Sequence, residues 1–81
     1  MRVKKEKLVI AFHTTADAMK MEEECKKAVI PGRLIPVPRE ISAGCGMAWS
    51  SEPDQREALD ALMQEVGIVY EDERICLLWK L

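Results

Sequence analysis

PGRLIPVPREISAGCGMAWS, Pro31 to Ser50, is the most heavily punctuated segment of the chain. It holds three of the chain's four prolines, three of its four glycines, Arg33, Arg39 and Cys45. Pro36 and Pro38 exclude a helix and stiffen the approach to Cys45. Gly44 and Gly46 flank Cys45, free the backbone to turn, and leave little bulk over the sulfur. RLIPV (33–37) and GMAWS (46–50) on either side read as two strands, so the segment reads as a hairpin with a long, shaped loop. Pro36 cannot donate to a ladder and assigns the first of these strands to a sheet edge.

Working outward, KLVIAF (7–12) is a short apolar run with Val and Ile at its centre, as expected of a central strand covered on at least one face. Residues 1–6 are expected to be frayed. Thr14 can cap a helix, with Asp17 three residues on. Ala18, Met21, Cys25 and Ala28, with Met19 and Val29 beside them, recur at helical spacing from Thr15 to Val29. Glu22–Lys26 and Glu23–Lys27 are spaced as solvent-side pairs, and Pro31-Gly32 ends the helix.

Beyond Ser50, Ser51 and Asp54 have capping-box spacing, with Pro53 in the first turn. Ala58, Leu59, Leu62, Met63 and Val66 form one stripe, and Gly67 terminates a helix from about residue 53 to 66. Residues 68–71 then read as a strand, Glu71-Asp72-Glu73-Arg74 as a polar turn, and ICLLWKL (75–81) as a final strand. One long bent strand and a small hairpin both fit this end. The order β-α-β-β-α-β predicts an α+β, ferredoxin-like domain over residues 1–81: an antiparallel sheet with both helices on one face.

Eighty-one residues allow one modest core, and a net charge of −2 gives no argument for nucleic acid or an acidic membrane surface. No apolar run approaches the roughly 20 residues of a membrane-spanning helix. The basic, then apolar, first twelve residues lack a small-residue cleavage site, so a cytoplasmic protein is expected. Cys25, Cys45 and Cys76 are an odd number at wide spacing, a poor disulfide framework and a poor zinc site. A phosphate loop, a paired-histidine metal motif and a nucleophile elbow are all missing, and no cofactor is implied.

Cys45 is the leading candidate for chemistry. A thiolate is the sulfur acceptor, and positive charge or backbone N–H groups stabilise it. Arg39 lies six residues upstream, Arg33 further back, and a turn between Gly44 and Gly46 can form an anion nest. The competing reading is a small apolar residue filling space beneath a loop, which is how Cys25 and Cys76 are read. His13, Thr14 and Thr15, at the first strand-to-helix junction, suit an anion; for Thr14 the helix cap is the favoured reading, and His13 is open between an anion contact and a surface residue at a strand end. Arg33 and Arg39 suit planar anions, or are solvated or paired with Glu40. Trp49 and Trp79 read as core or half-buried sheet residues.

FHTTADAMKME (12–22) and PGRLIPVPREISAGCGMAW (31–49) resemble the corresponding runs of a family of small selenium/sulfur carrier-like proteins. The resemblance implies a small cytoplasmic domain that handles selenium or sulfur, with Cys45 of Ser-Ala-Gly-Cys-Gly as the carrier residue. It implies donor and acceptor proteins as partners, such as a cysteine desulfurase. The Cys-Pro-x-Pro motif of other small sulfur-relay carriers is missing; here Pro36-Val37-Pro38 precedes the cysteine. Rival expectations are a small-anion-binding module in which Cys45 is incidental, and an interaction subunit that forms a homodimer through its sheet. A redox enzyme ranks below these, because no resolving cysteine is close in sequence.

Overall fold

The computed structural model describes residues 4–41 and 44–79, the last by its backbone alone. Its elements are β1 (Lys4–Phe12), α1 (Thr15–Ala28), β2 (Arg33–Pro36), β3 (Met47–Ser51), a 3₁₀ turn (Pro53–Gln55), α2 (Arg56–Val66) and β4 (Tyr70–Trp79). The four strands form one sheet in the order β2-β3-β1-β4, antiparallel at every pairing. Pro36 does end an edge strand, as its missing N–H requires.

β1 is the centre of the molecule. Leu8 to Phe12 are fully buried because both faces of the strand are covered. Leu8, Ile10 and Phe12 pack with Ala18, Met21 and Cys25 of α1 and Leu59 and Met63 of α2. Both helices therefore lie on one face. Val9 and Ala11 point the other way, into a smaller cluster with Ala48, Cys76 and Ile41. That cluster is roofed by the β2–β3 connection, whose Val37 and Ile41 fold back over the sheet. The period of two along β1 thus feeds two cores from one strand.

Three local expectations change. Residues 4–6 are not frayed but extend β1, paired from Lys4↔Trp79 along β4; residues 1–3 lie outside the described residues. Ser51 is no helix cap: it ends β3, and its hydroxyl donates to the Pro31 carbonyl at 2.5 Å. Glu52 stands at the N-cap, and the 3₁₀ turn carrying Pro53 leads into α2. The polar run Glu71–Arg74 is not a turn but lies in the first half of the single strand β4. Residues 80 and 81, expected in the same strand, lie outside the described residues.

α1 begins as its sequence demands. Thr14 Oγ1 accepts the Asp17 N–H at 3.2 Å. Its end differs in mechanism from a proline stop. Val29 adopts a left-handed conformation with φ 57° and closes the helix, Val29 N–H to Lys26 O and Ile30 N–H to Cys25 O. Val29 and Met19 are on the solvent side, 86% and 62% exposed, rather than beside the core stripe. Lys27 pairs with both Glu23 and Glu24 at 3.5 Å. α2 ends at Gly67, φ 77°, as expected of a left-handed terminator.

Candidate functional site

Cys45 sits on the turn that leads into β3, near the end of β1. Its Sγ–H donates to the Phe12 carbonyl at 3.2 Å, with Met47 O as a second acceptor at 3.5 Å. The sulfur also accepts the Met47 N–H at 3.4 Å. The thiol is half-buried, against the edge of the core that the helices cover. The two glycines serve different ends. Gly46 takes φ +72°, with open space where a side chain would stand. Gly44 is needed for close approach: a Cβ there would lie 2.9 Å from the His13 carbonyl oxygen.

Glu71 holds this corner together, and it was not among the candidates read from the sequence. The register of β4 on β1 slips between Ala11 and Phe12: Ala11 pairs with Asp72, Phe12 with Tyr70. Glu71 is the extra residue, and a bulge of this kind re-aims a side chain. Glu71 Oε1 meets His13 Nδ1 at 2.9 Å and accepts the Gly44 N–H at 3.2 Å. One carboxylate therefore ties the end of β1, the bulge of β4 and the residue before Cys45. Only tertiary pairing brings Glu71 here; its sequence context reads as one acid in a polar run.

The other candidates are distributed more widely. The Thr14 hydroxyl is committed to Asp17, accepting its N–H and donating to its carboxylate at 2.9 Å. Thr15 is the first, exposed residue of α1. Arg39 is exposed on the turn closed by Ile41 N–H to Pro38 O, without a hydrogen bond or ion pair among the described residues. Arg33 is not near Cys45 at all. It pairs with Ser50, about 16 Å further along β3 at the strand rise per residue.

Cys25 and Cys76 complete the thiol inventory, and all three cysteines are free. Cys25 is buried on α1, and burial, with Glu24 adding, pushes its thiol up to about 11. Cys76 is buried on the opposite sheet face; burial first, then Glu40, raise its thiol. Among the described residues no cluster of three or more metal-ligating side chains is present, and no helix is long and apolar enough to cross a membrane. Trp49 is a core residue, 2% exposed, as expected.

The sequence model of the family described as "Putative Se/S carrier protein-like" matches residues 7–73. That span covers both helices, β2 and β3 whole, most of β1 and the Cys45 turn. No curated protein and no solved structure matches the chain.

Proposed function

The chain belongs to the Se/S carrier protein-like family, and from that premise we propose that Cys45 is the carrier thiol, accepting sulfur or selenium from a donor protein and passing it on. One observation carries the assignment. Of three free cysteines, two are buried with raised thiols, and Cys45 alone is part-exposed on a turn. A buried, protonated thiol is a poor nucleophile. The turn is also the segment where bulk is excluded on one side and backbone is left open on the other.

The step needs no oxidant. The Cys45 sulfur, as thiolate, attacks the terminal sulfur of a donor persulfide, R–S–SH. The donor S–S bond breaks, a new S–S bond forms on Cys45, and the donor leaves as a thiolate that takes up the proton. Delivery is the reverse exchange onto an acceptor thiol. Selenium follows the same bookkeeping with a selenosulfide. Thiol access requires the Sγ–H to leave the Phe12 carbonyl, and His13, held by Glu71, is the residue that follows that carbonyl. Arg39, on the same β2–β3 connection and without an ion pair among the described residues, is positioned to meet an acidic patch on a donor protein such as a cysteine desulfurase. Three free thiols suit a reducing, cytoplasmic setting. The sheet order and helix placement support the ferredoxin-like plan as the scaffold.

The test is thiol reactivity in the native protein. An aromatic disulfide reagent should modify one cysteine rapidly, and Cys45→Ser should abolish that phase while Cys25→Ala and Cys76→Ala retain it. If Cys45 reacts only as slowly as the two buried thiols, it is a packing residue and the carrier reading falls.

A further inference from the structure

The sheet face without helices carries a second feature, remote from Cys45. A cleft of about 660 Å³ opens between β2, the end of β3 and the extended start of β1. Lys5, Lys7 and Arg33 stand around it, with Ile35 and Leu78 among its apolar lining. Register explains the shared face. Arg33 pairs with Ser50, Ser50 with Val9, and Lys5 with Leu78, so these positions share one face of the sheet. The apolar lining is continuous with the smaller core, to which Ile35 and Leu78 pack.

The charge is unbalanced there. Glu52 is the cleft's one acid, and it is taken by an ion pair with Lys7. Lys5 and Arg33 have no hydrogen bond or ion pair among the described residues. Hydrogen bonding to Lys7, with the charges of Lys7 and Lys5, holds the Glu52 carboxyl below its ordinary range, a sign of a cationic surround. This concentration of positive charge stands out in a chain of net charge −2.

We infer that this cleft is a binding site for a small carboxylate with an apolar body. Arg33 and Lys5 meet the carboxylate, and Ile35 and Leu78 meet the hydrocarbon. The volume lies within the roughly 300–1,000 Å³ of small-ligand sites, and the mix of apolar lining with a few convergent polar groups is what such sites share. Arginine presents parallel donors to a planar carboxylate, and the largely apolar lining disfavours a fully hydrated inorganic anion. The site does not depend on Cys45 or on sulfur transfer.

The experiment is a backbone-amide NMR titration of the full chain with sodium octanoate, octanol and octyltrimethylammonium. Octanoate should shift the amides of Arg33, Ile35, Ser50 and Leu78 saturably, and added salt should weaken it. Arg33→Glu and Lys5→Glu, both at exposed positions, should each weaken octanoate about tenfold, the loss expected for one charge-assisted contact. Cys45→Ala should bind octanoate unchanged. Equal binding of octanol or of the ammonium, shifts spread away from the cleft, or undiminished affinity in both charge-reversed variants would overturn the assignment. Because Cys45→Ala leaves the cleft intact, failure here is separable from failure of the carrier reading.

Discussion

Gly44 is the residue on which the geometry of the Cys45 turn depends most visibly. A Cβ there meets the His13 carbonyl oxygen at 2.9 Å, backbone against backbone, and Gly44 N–H holds the Glu71 carboxylate. Gly44→Ala should destabilise the protein by about 1–3 kcal/mol, the usual cost of overpacking. Urea denaturation checks this, with an unchanged slope as the mark of a folded-state effect. Val29 makes the opposite prediction. A β-branched residue at φ 57°, 86% exposed, is strained without contributing packing. Val29→Gly should stabilise by about 1 kcal/mol, the left-handed penalty for a non-glycine residue less the added chain entropy of glycine. A neutral or destabilising result in the same denaturation experiment would contradict that account. The thiol corner was half legible in advance. A cysteine between two glycines is visible in the sequence; Glu71, which connects Gly44 to His13, is not, because a strand bulge aims it there.

At the scale of elements, the strands and helices with a buried face were readable and the polar edge strand was not. KLVIAF and the Ala18-Met21-Cys25 stripe announce themselves because burial demands apolar residues at fixed periods. Glu71-Asp72-Glu73-Arg74 looks like a turn, yet β4 needs apolar contact only where it lies against covered sheet. As an edge strand it pairs its charges on both faces, Glu73 with Arg56 at 3.1 Å on the helix-covered side and Asp72 with Arg74 on the other. Glu73 then carries a pH dependence. Its side chain is 6% exposed, and among the described residues its Oε2 and the Oδ1 of Asp60 on α2, which faces it, have no hydrogen-bond partner. Burial, then the Asp60 carboxyl facing it, push Glu73 up to about 7, with Arg56 acting against them. The unfolded value is about 4.3. The folded chain therefore holds this proton more tightly, so the group favours folding most below about pH 4 and that advantage is lost as pH rises through 7. The melting temperature of the wild type should fall between pH 5 and pH 8, and Glu73→Gln should flatten that slope. An equal slope in the variant would place the titration elsewhere.

The whole molecule separates two surfaces that the sequence had placed together. Arg33, Arg39 and Cys45 lie within thirteen residues of one another and read as one loop-centred site. The β2–β3 hairpin sets them apart, because Arg33 enters the hairpin at one end of the sheet and Cys45 leaves its loop at the other. The thiol faces the helix-covered core, and the basic cleft opens on the helix-free face. Sequence proximity across a long loop says little about distance once both arms are strands. The family resemblance needed no such geometry, since its matching runs lie in the segments that build β1, α1 and the hairpin.

Intact-protein mass spectrometry shows whether Cys45 carries a labile sulfur. The protein is incubated with cysteine and a cysteine desulfurase, wild type beside Cys45→Ala. The account predicts a gain of one sulfur mass, about 32 Da, on the wild type alone, reversed by a thiol reductant, as a persulfide requires. The same adduct on Cys45→Ala, or none on a wild type whose donor is demonstrably persulfidated, would contradict it.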